Sequence, residues 1–444
     1  MKRIISAAAL LLLLAVLVSC EAPNVIPVIT GKSAETEEDV TVEKIKDPLP
    51  VASKDVTFLT SEKFITTRKA DGVSEQFKKG YAELAAELLK RAANGKSALI
   101  SPLSVMTALQ MTANGAKGQT LEEMQKVLAG MDTEELNRQL FNYYESLKTT
   151  SGAKLDSANA IWITNSVDFH VESDFIDVIN NTFRAQIAKA PFTERSTVDA
   201  INEWCKKNTG DMIEKILNYD DVSIDTVMVL LNALCFDALW AEQYQEHQCR
   251  KAEFNGENGT TKVTMMYSEE YGYIKGEKET GFVKYYKDGN YAFAALLPEN
   301  GIKMSDYVAS LTGERLLSLI ENRGGAVDAG LPKFKFDWSA SLVTPLAEMG
   351  METVFTERSD LSGLGYTDNN DALAISDVIH KTHIEVDESG TRAAAVTAVI
   401  VNKVTSVAPG NTPSVILDRP FVYAIIDTSS NLPIFLGSIT DITE

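Results

Sequence analysis

Glu388-Ser389-Gly390-Thr391-Arg392-Ala393-Ala394-Ala395-Val396-Thr397-Ala398-Val399-Ile400-Val401 is the stretch that decides how the rest of the chain is read. Before it lies a segment of strand character, Ile375 to Asp387. After it come Pro409, Gly410 and Pro413, and then Asp418-Arg419-Pro420-Phe421. About thirty residues thus separate two pieces of sheet, a length that compact domains rarely leave unstructured unless the loop is functional or disordered. The composition argues against disorder. Val396 to Val401 is β-branched apart from Ala398 and carries no charge, which is strand chemistry. Left exposed, such a run is an aggregation hazard. The segment reads as a strand held outside a sheet, with Gly390 as its hinge.

The hinge Glu388 to Thr397 resembles that of the inhibitory serpins, and Asp418-Arg419-Pro420-Phe421 resembles the strand that follows their reactive loop. The spacing fits a loop a few residues longer than common. The resemblance runs back to about Phe77 and so covers nearly the whole globular part. It implies an α+β fold, with three β-sheets, eight or nine helices and an exposed reactive-centre loop at about 388–417. The globular domain on this reading is 74–444.

Length and charge set the outer limits. The 444 residues are 45 % hydrophobic, enough for a sizeable core, and the net charge is −20. So acidic a chain is a poor ligand for nucleic acid or heparin, and neither is expected as a partner. Lys2 and Arg3 open a short basic region, and Ile4 to Val18 is almost wholly apolar, about the length of a signal-peptide core. Leu17-Val18-Ser19-Cys20 then resembles a bacterial lipobox, with the Cys20 thiol accepting a diacylglyceryl chain. Residues 1–19 are accordingly a leader and 20–73 a lipidated tether, broken by Pro23, Pro27, Pro48 and Pro50, in which Val56 to Thr66 has room for a short strand. Cleavage removes two positive charges and takes the net charge from −20 to −22. The expected location is a bacterial cell envelope, at the outer membrane or cell surface, with release outside the cell as the alternative. Cys205, Cys235 and Cys249 remain, an odd number with no disulfide framework; a Cys235–Cys249 bridge stays open.

Helices come first. Ser74 caps one carrying Phe77, Tyr81, Leu84 and Leu88 on one face, Ser101-Pro102 opens a second, Thr120 to Glu123 reads as a capping box for a third, and Asp132 starts a fourth. Strands are predicted over 158–163, 188–192 and 227–236, with helices at 173–183 and around Trp204. Val227 to Phe236 is apolar except for Asn232, which needs partners if buried. Further on, Lys287-Asp288-Gly289-Asn290 is a hairpin turn. Residues 305–320 read as helix, 326–336 as strand and 339–349 as helix; 421–426 and 433–439 are closing strands.

Chemistry for catalysis is thin. There is no G-x-S-x-G elbow, H-E-x-x-H or phosphate-binding glycine loop. His380 and His383 have HxxH spacing, but three residues apart on a strand they point to opposite faces, with His380 on the apolar side. The resemblance gives these residues another role. Ser101, Ser104, Asn232 and His380 match a polar cluster beneath an opening sheet, and Trp240 and Lys333 match residues at the loop's entry, where a Glu388–Lys333 ion pair is expected. No catalytic residue, metal or cofactor is implied. On insertion Thr391, Ala393, Ala395, Thr397, Val399 and Val401 face the core, all small or β-branched, and Ala394 faces the other way. Arg392, where many members carry Glu, also lies on the outer face.

The implied function is inhibition of a serine protease by a monomer, through cleavage of the loop, acyl linkage and insertion. Counted from Gly390 the scissile bond is Val404-Thr405, which suits an elastase-like enzyme. A register one residue shorter places Lys403 before the bond, as Lys403-Val404, and suits a trypsin-like one. Two alternatives stand beside this: a serpin scaffold that acts as carrier, chaperone or cleaved substrate, and an unrelated hydrolase.

Overall fold

A computed structural model describes residues 9–15, 56–59, 70–211, 213–391 and 412–443. Among them are nine α-helices and sheets of eight, six, four and two strands. This is an α+β architecture of the kind the resemblance implies, with a two-stranded ribbon, Phe169–Val171 with Gly365–Thr367, added to the three sheets expected.

The helix Glu75–Ala93 is stapled at its start by Ser74 Oγ, which accepts from the Phe77 amide at 3.1 Å. Phe77, Tyr81, Leu84 and Leu88 are buried along one side. The next helix, Pro102–Ala113, carries no charge and is buried on every side, as a largely apolar sequence requires. It packs beneath the main sheet.

The eight strands of that sheet are numbered in chain order: β1 (Ala9–Ala15), β2 (Thr57–Phe58), β3 (Ala153–Thr164), β4 (Gln186–Ala190), β5 (Met228–Leu239), β6 (Phe334–Ser341), β7 (Ala374–Val386) and β8 (Gly390–Thr391). Across the sheet the order is β6, β7, then β8 and β1 sharing one position, then β5, β3, β4 and β2. β2 pairs with the β4 edge, so the segment read as tether touches the domain there, and Phe58 packs edge-on to Trp162. The six-stranded sheet holds the closing pair Phe421–Asp427 and Pro433–Ile439, buried throughout.

Four expectations need correction. The third helix is Gly118–Val127, with Lys117 at its cap and no side-chain cap bond. Thr120 is instead buried inside it and accepts from the Asp360 amide (2.9 Å), while Glu123 accepts from the Glu352 and Thr353 amides and the Thr353 hydroxyl. Tertiary partners claimed both ends of the apparent capping box. Residues 305–320 form two helices, Met304–Ala309 and Gly313–Glu321. Thr312 caps the second, and Gly313 lies so close to the Glu75–Ala93 helix that a Cβ there would meet the Glu83 nitrogen at 2.3 Å. Residues 326–336 form two strands in different sheets, Ala326–Pro332 and β6. Proline ends the first ladder and Lys333 pivots the chain, donating its amide to Thr264 O at 2.8 Å. β6 then runs on to Ser341 with alternating burial, which leaves a helix over Val343–Glu348 only.

Candidate functional site: a one-strand gap in the main sheet

β5 and β7 are held apart by the width of one strand. At the top, Gly390 pairs with Leu239, and Thr391 pairs with both Ala238 of β5 and Val386 of β7. Eight residues further along each strand, Leu12 of β1 pairs with both Leu230 and Val378. The register across the gap is therefore the same at both levels. The two occupants run in opposite directions: β8 is antiparallel to its neighbours and β1 parallel to them. Gly390 is required where it stands, since a Cβ would meet Ala238 O at 2.0 Å. Thr391 is 3 % exposed, and its hydroxyl shares a hydrogen bond with the buried Tyr286 hydroxyl.

The chain enters this slot through a cluster around Trp240. The Trp240 ring stacks on Tyr286 at 4.6 Å. Its Nε1 donates to Asp387 O (2.8 Å) and its amide to Ser389 O (2.9 Å), while the Tyr244 amide donates to Glu388 O (3.0 Å). Asp387 Oδ1 accepts from the Ser389 and Gly390 amides at 2.7 and 3.1 Å and closes the turn. Burial raises the Asp387 carboxyl above its usual range, against the pull of those amides. Lys333 Nζ lies 2.6 Å from Glu388 Oε2. Burial is the largest single influence there and opposes the charge, but the Lys333 hydrogen bond, a backbone hydrogen bond at Glu388 itself and the lysine's charge together outweigh it and hold Glu388 below the usual carboxylate range. Both side chains are more than a third exposed, so the pair is worth roughly 0.2–1 kcal/mol. Beneath them Lys284 is buried against Glu270 (2.6 Å) and sits 4.3 Å over the Tyr244 ring.

Lower in the gap, the common register sets Asn232 of β5 and His380 of β7 on either side of one strand position, both fully buried. His380 Nε2 accepts from the Ser101 amide at 2.9 Å, and Ser101 Oγ accepts from the Ser104 amide at 3.3 Å. Asn232 Nδ2 donates to Asn159 Oδ1 at 2.6 Å and reaches the Tyr144 hydroxyl at 3.4 Å. Asn232 Oδ1 and Ser104 Oγ are buried without a partner among the described residues. Such a cluster can hold two strands while keeping capacity for a third. His383 points the other way, its Nδ1 2.6 Å from Asp337 Oδ1 on the outer face.

The structure thus brings Ser101, Ser104, Asn232 and His380 into one region and Trp240, Lys333, Glu388, Gly390 and Thr391 into another, both along the same gap. Sequence reasoning missed Tyr286, Tyr144 and Asn159. Asn159 carried a signal, as a lone amide within a strand-like run; the tyrosines carried none. Ala393, Ala394, Ala395, Thr397, Lys403, Val404, Thr405 and Cys20 lie outside the described residues. Cys205 and Cys249 are free thiols, so the Cys235–Cys249 bridge is absent, and burial pushes Cys205 up to about 12.

A family model described as Serpin (serine protease inhibitor) matches residues 79–442. An uncharacterized serpin-like protein of Thermococcus kodakarensis is 30 % identical over 78 % of this chain and 81 % of its own. Iripin-2 of Ixodes ricinus is 31 % identical over 78 % of this chain and 87 % of its own. Among solved structures, the thermophilic serpin tengpin in its native state superposes with a TM-score of 0.80 at 39 % identity, covering 87 % of this chain and 100 % of that one.

Proposed function

This chain belongs to the serpin family, and from that premise we propose that it inhibits a serine protease by letting it cut the loop and then inserting the cut strand between β5 and β7. One observation carries the reading: Gly390 and Thr391, the first residues of the loop, are already paired antiparallel in the gap. The residues that would follow are small or β-branched on the inward parity. The protease serine attacks the Val404 carbonyl, the Val404-Thr405 bond breaks, and the new amine leaves on Thr405. The ester stays with Val404. Insertion of ~14 residues at ~3.3 Å each carries that ester about 45 Å along the sheet. The inhibitor contributes no catalytic group; hydrolysis of the ester is what insertion must outrun. Lys403 is the alternative residue before the bond. An acidic partner steers basic proteases at low salt.

The rest of the proposal concerns the ends of the chain. Residues 1–19 are a leader whose removal takes β1 out of the gap and leaves that position to the loop. Cys20 then anchors a monomer to a bacterial envelope membrane. The protein released at Cys20 is to be mixed with elastase-like and trypsin-like proteases and run on a denaturing gel. A band larger than either partner supports the mechanism, whereas cleaved inhibitor alone refutes it.

A further inference from the structure

The outer face of the main sheet carries a strap, with a cavity under its far end. Asn159 and Asn232 meet on the inner face, so Ala160, next along β3, and its partner Gln186 of β4 face outwards. Trp204 Nε1 donates to Gln186 Oε1 at 2.7 Å, which sets the helix Arg195–Asn208 on that outer face, over β3 and β4. Asn202 of this helix grips the chain that follows it. Its Oδ1 accepts from the Ile216 and Leu217 amides at 2.7 and 2.8 Å, and its Nδ2 donates to Leu217 O at 3.0 Å. Lys215 O beside them accepts from Lys381 Nζ of β7 at 3.3 Å. Residues 213–217 thus bridge the gap, from the helix on one side to β7 on the other, outside the level at which Ala15 of β1 pairs with Lys381.

The strap leaves a cavity of about 330 Å³ at its β7 end, roofed by Ile213, Glu214 and Lys215 and floored by Asp337 of β6 with Lys381 and His383 of β7. Ligand cavities run from roughly 300 to 1,000 Å³, so this one suits a small molecule. Among the described residues none of its lining comes from β1. Its charges are unequally engaged. His383 Nδ1 is 2.6 Å from Asp337 Oδ1, and the Lys215 ammonium lies 5.7 Å over the Tyr219 ring. Lys381 is half-buried, and among the described residues its bond to Lys215 O is its one hydrogen bond and it has no ion pair. Burial pulls its ammonium below the ordinary lysine range, and the charge of Asp221 opposes this. A cation so placed gains from an anion beside it. Exposed Glu214 and Asp337 repel a second negative charge, which favours a monoanion over a phosphate or a dicarboxylate. Buried Ile213 and the Lys381 stem supply hydrocarbon.

We propose that this cavity binds a short-chain aliphatic monocarboxylate, with the carboxylate on Lys381 Nζ and the chain against Ile213. Filled, it ties the strap to β7 by a second contact. The chain joins the strap covalently to β5, so its β7 end is the one that can lift, and a strand entering between β5 and β7 has to pass beneath it. The ligand therefore slows insertion. That consequence rests on the insertion reading above, whereas the site does not.

The test titrates the full mature chain with hexanoate by ligand-observed NMR, beside 1-hexanol and inorganic phosphate, and repeats the titration on K381M and K381R. Hexanoate should half-saturate wild type on the order of 1 mM, modest for a ligand of its size. The alcohol and phosphate should bind about tenfold more weakly, K381M should lose about tenfold for hexanoate, and K381R should stay within about twofold. K381R keeps the cation and so separates loss of the site from loss of the fold. Saturating hexanoate should slow covalent complex formation about threefold in wild type and leave the K381M rate unchanged. Equal affinity for hexanol or phosphate, or undiminished hexanoate affinity in K381M, overturns the site. Binding with no change in rate overturns the part given to the strap. A wild type that forms no covalent complex refutes the insertion reading, and the titration still decides the site by itself.

Discussion

Thr391→Glu is the substitution on which the insertion mechanism is most exposed. Thr391 is 3 % exposed, walled by Ala238 and Val386 at 1 % each and by Tyr286, which is fully buried. A carboxylate in that slot loses its water, at a cost of several kcal/mol if unpaired. Tyr286 has one hydroxyl to offer and recovers roughly 1.5–3 kcal/mol. A net penalty of about 2–4 kcal/mol remains, and at 1.4 kcal/mol per tenfold this slows insertion by about 30- to 1,000-fold. The intact molecule avoids the penalty by withdrawing two residues from the gap, so its fold and melting should change little. The cut loop has no such escape, because the inserted register places residue 391 in this slot. Deacylation then wins and the variant becomes a substrate. The assay is the stoichiometry of inhibition, read by titrating protease activity and by gel, with Thr391→Ser as the control that keeps the hydroxyl. A Thr391→Glu protein that still forms covalent complex at wild-type stoichiometry would refute the reasoning.

Limited proteolysis in the loop should raise the melting midpoint sharply, because a paired strand replaces an unpaired one; equal midpoints before and after cleavage argue for a scaffold that does not insert. Mass spectrometry of the released C-terminal fragment fixes the scissile bond, with Thr405 as its first residue on the elastase-like reading and Val404 on the trypsin-like one. Glu388 has its folded pKa below the ordinary 4.5, so its stabilisation is complete above pH 4.5 and lost as pH falls through the lower folded value. Wild type should therefore lose more melting temperature than Glu388→Gln on acidification below pH 4.5, and parallel curves would remove the Lys333 pair from the account. Protein recovered from membranes should carry a lipid mass on Cys20, absent from Cys20→Ala; unmodified wild-type Cys20 would rule out the anchor.

The hinge was legible because its job constrains composition locally: a residue that must enter a sheet cannot be large or charged, and the run from Thr391 shows this without reference to any partner. Asn232 was legible for the same reason, as one amide in a strand otherwise apolar. What Asn232 meets was not, since Asn159 lies 73 residues away and Tyr144 lies 88 away. Tyr286, which holds Thr391, sits at a hairpin end where nothing in the local pattern marks it. The misread elements fail for related reasons. Thr120 and Glu123 have the spacing of a cap but are bound by residues more than two hundred positions later. The segment 326–336 reads as one extended run, yet the chain crosses between sheets at Pro332-Lys333, where the proline ends the first ladder and the strands on either side take the two halves.

The gap also matches the loop residue by residue in a way neither shows alone. Down the inner face, the positions after Thr391 on alternate residues meet Phe236 with Ile384, Leu234 with Thr382, Asn232 with His380, and Leu230 with Val378. The first, second and fourth are apolar or have their polar atom engaged, as Thr382 does by donating to Leu99 O at 2.7 Å. The third is the polar pair, with Asn232 Oδ1 buried and unmet among the described residues. The loop's residues on this parity are Ala393, Ala395, Thr397 and Val399. On the reading proposed here the one hydroxyl in that set arrives at the one row with an acceptor to spare. A buried acceptor without a partner costs roughly 1–3 kcal/mol, and that cost is relieved only once the strand has entered as far as Thr397. On that reading the mature chain, with β1 removed from the gap, holds two unspent sources of stabilisation, the sheet position below Thr391 and the unmet amide, and both are drawn on as insertion proceeds, on the side of the step that must outrun deacylation.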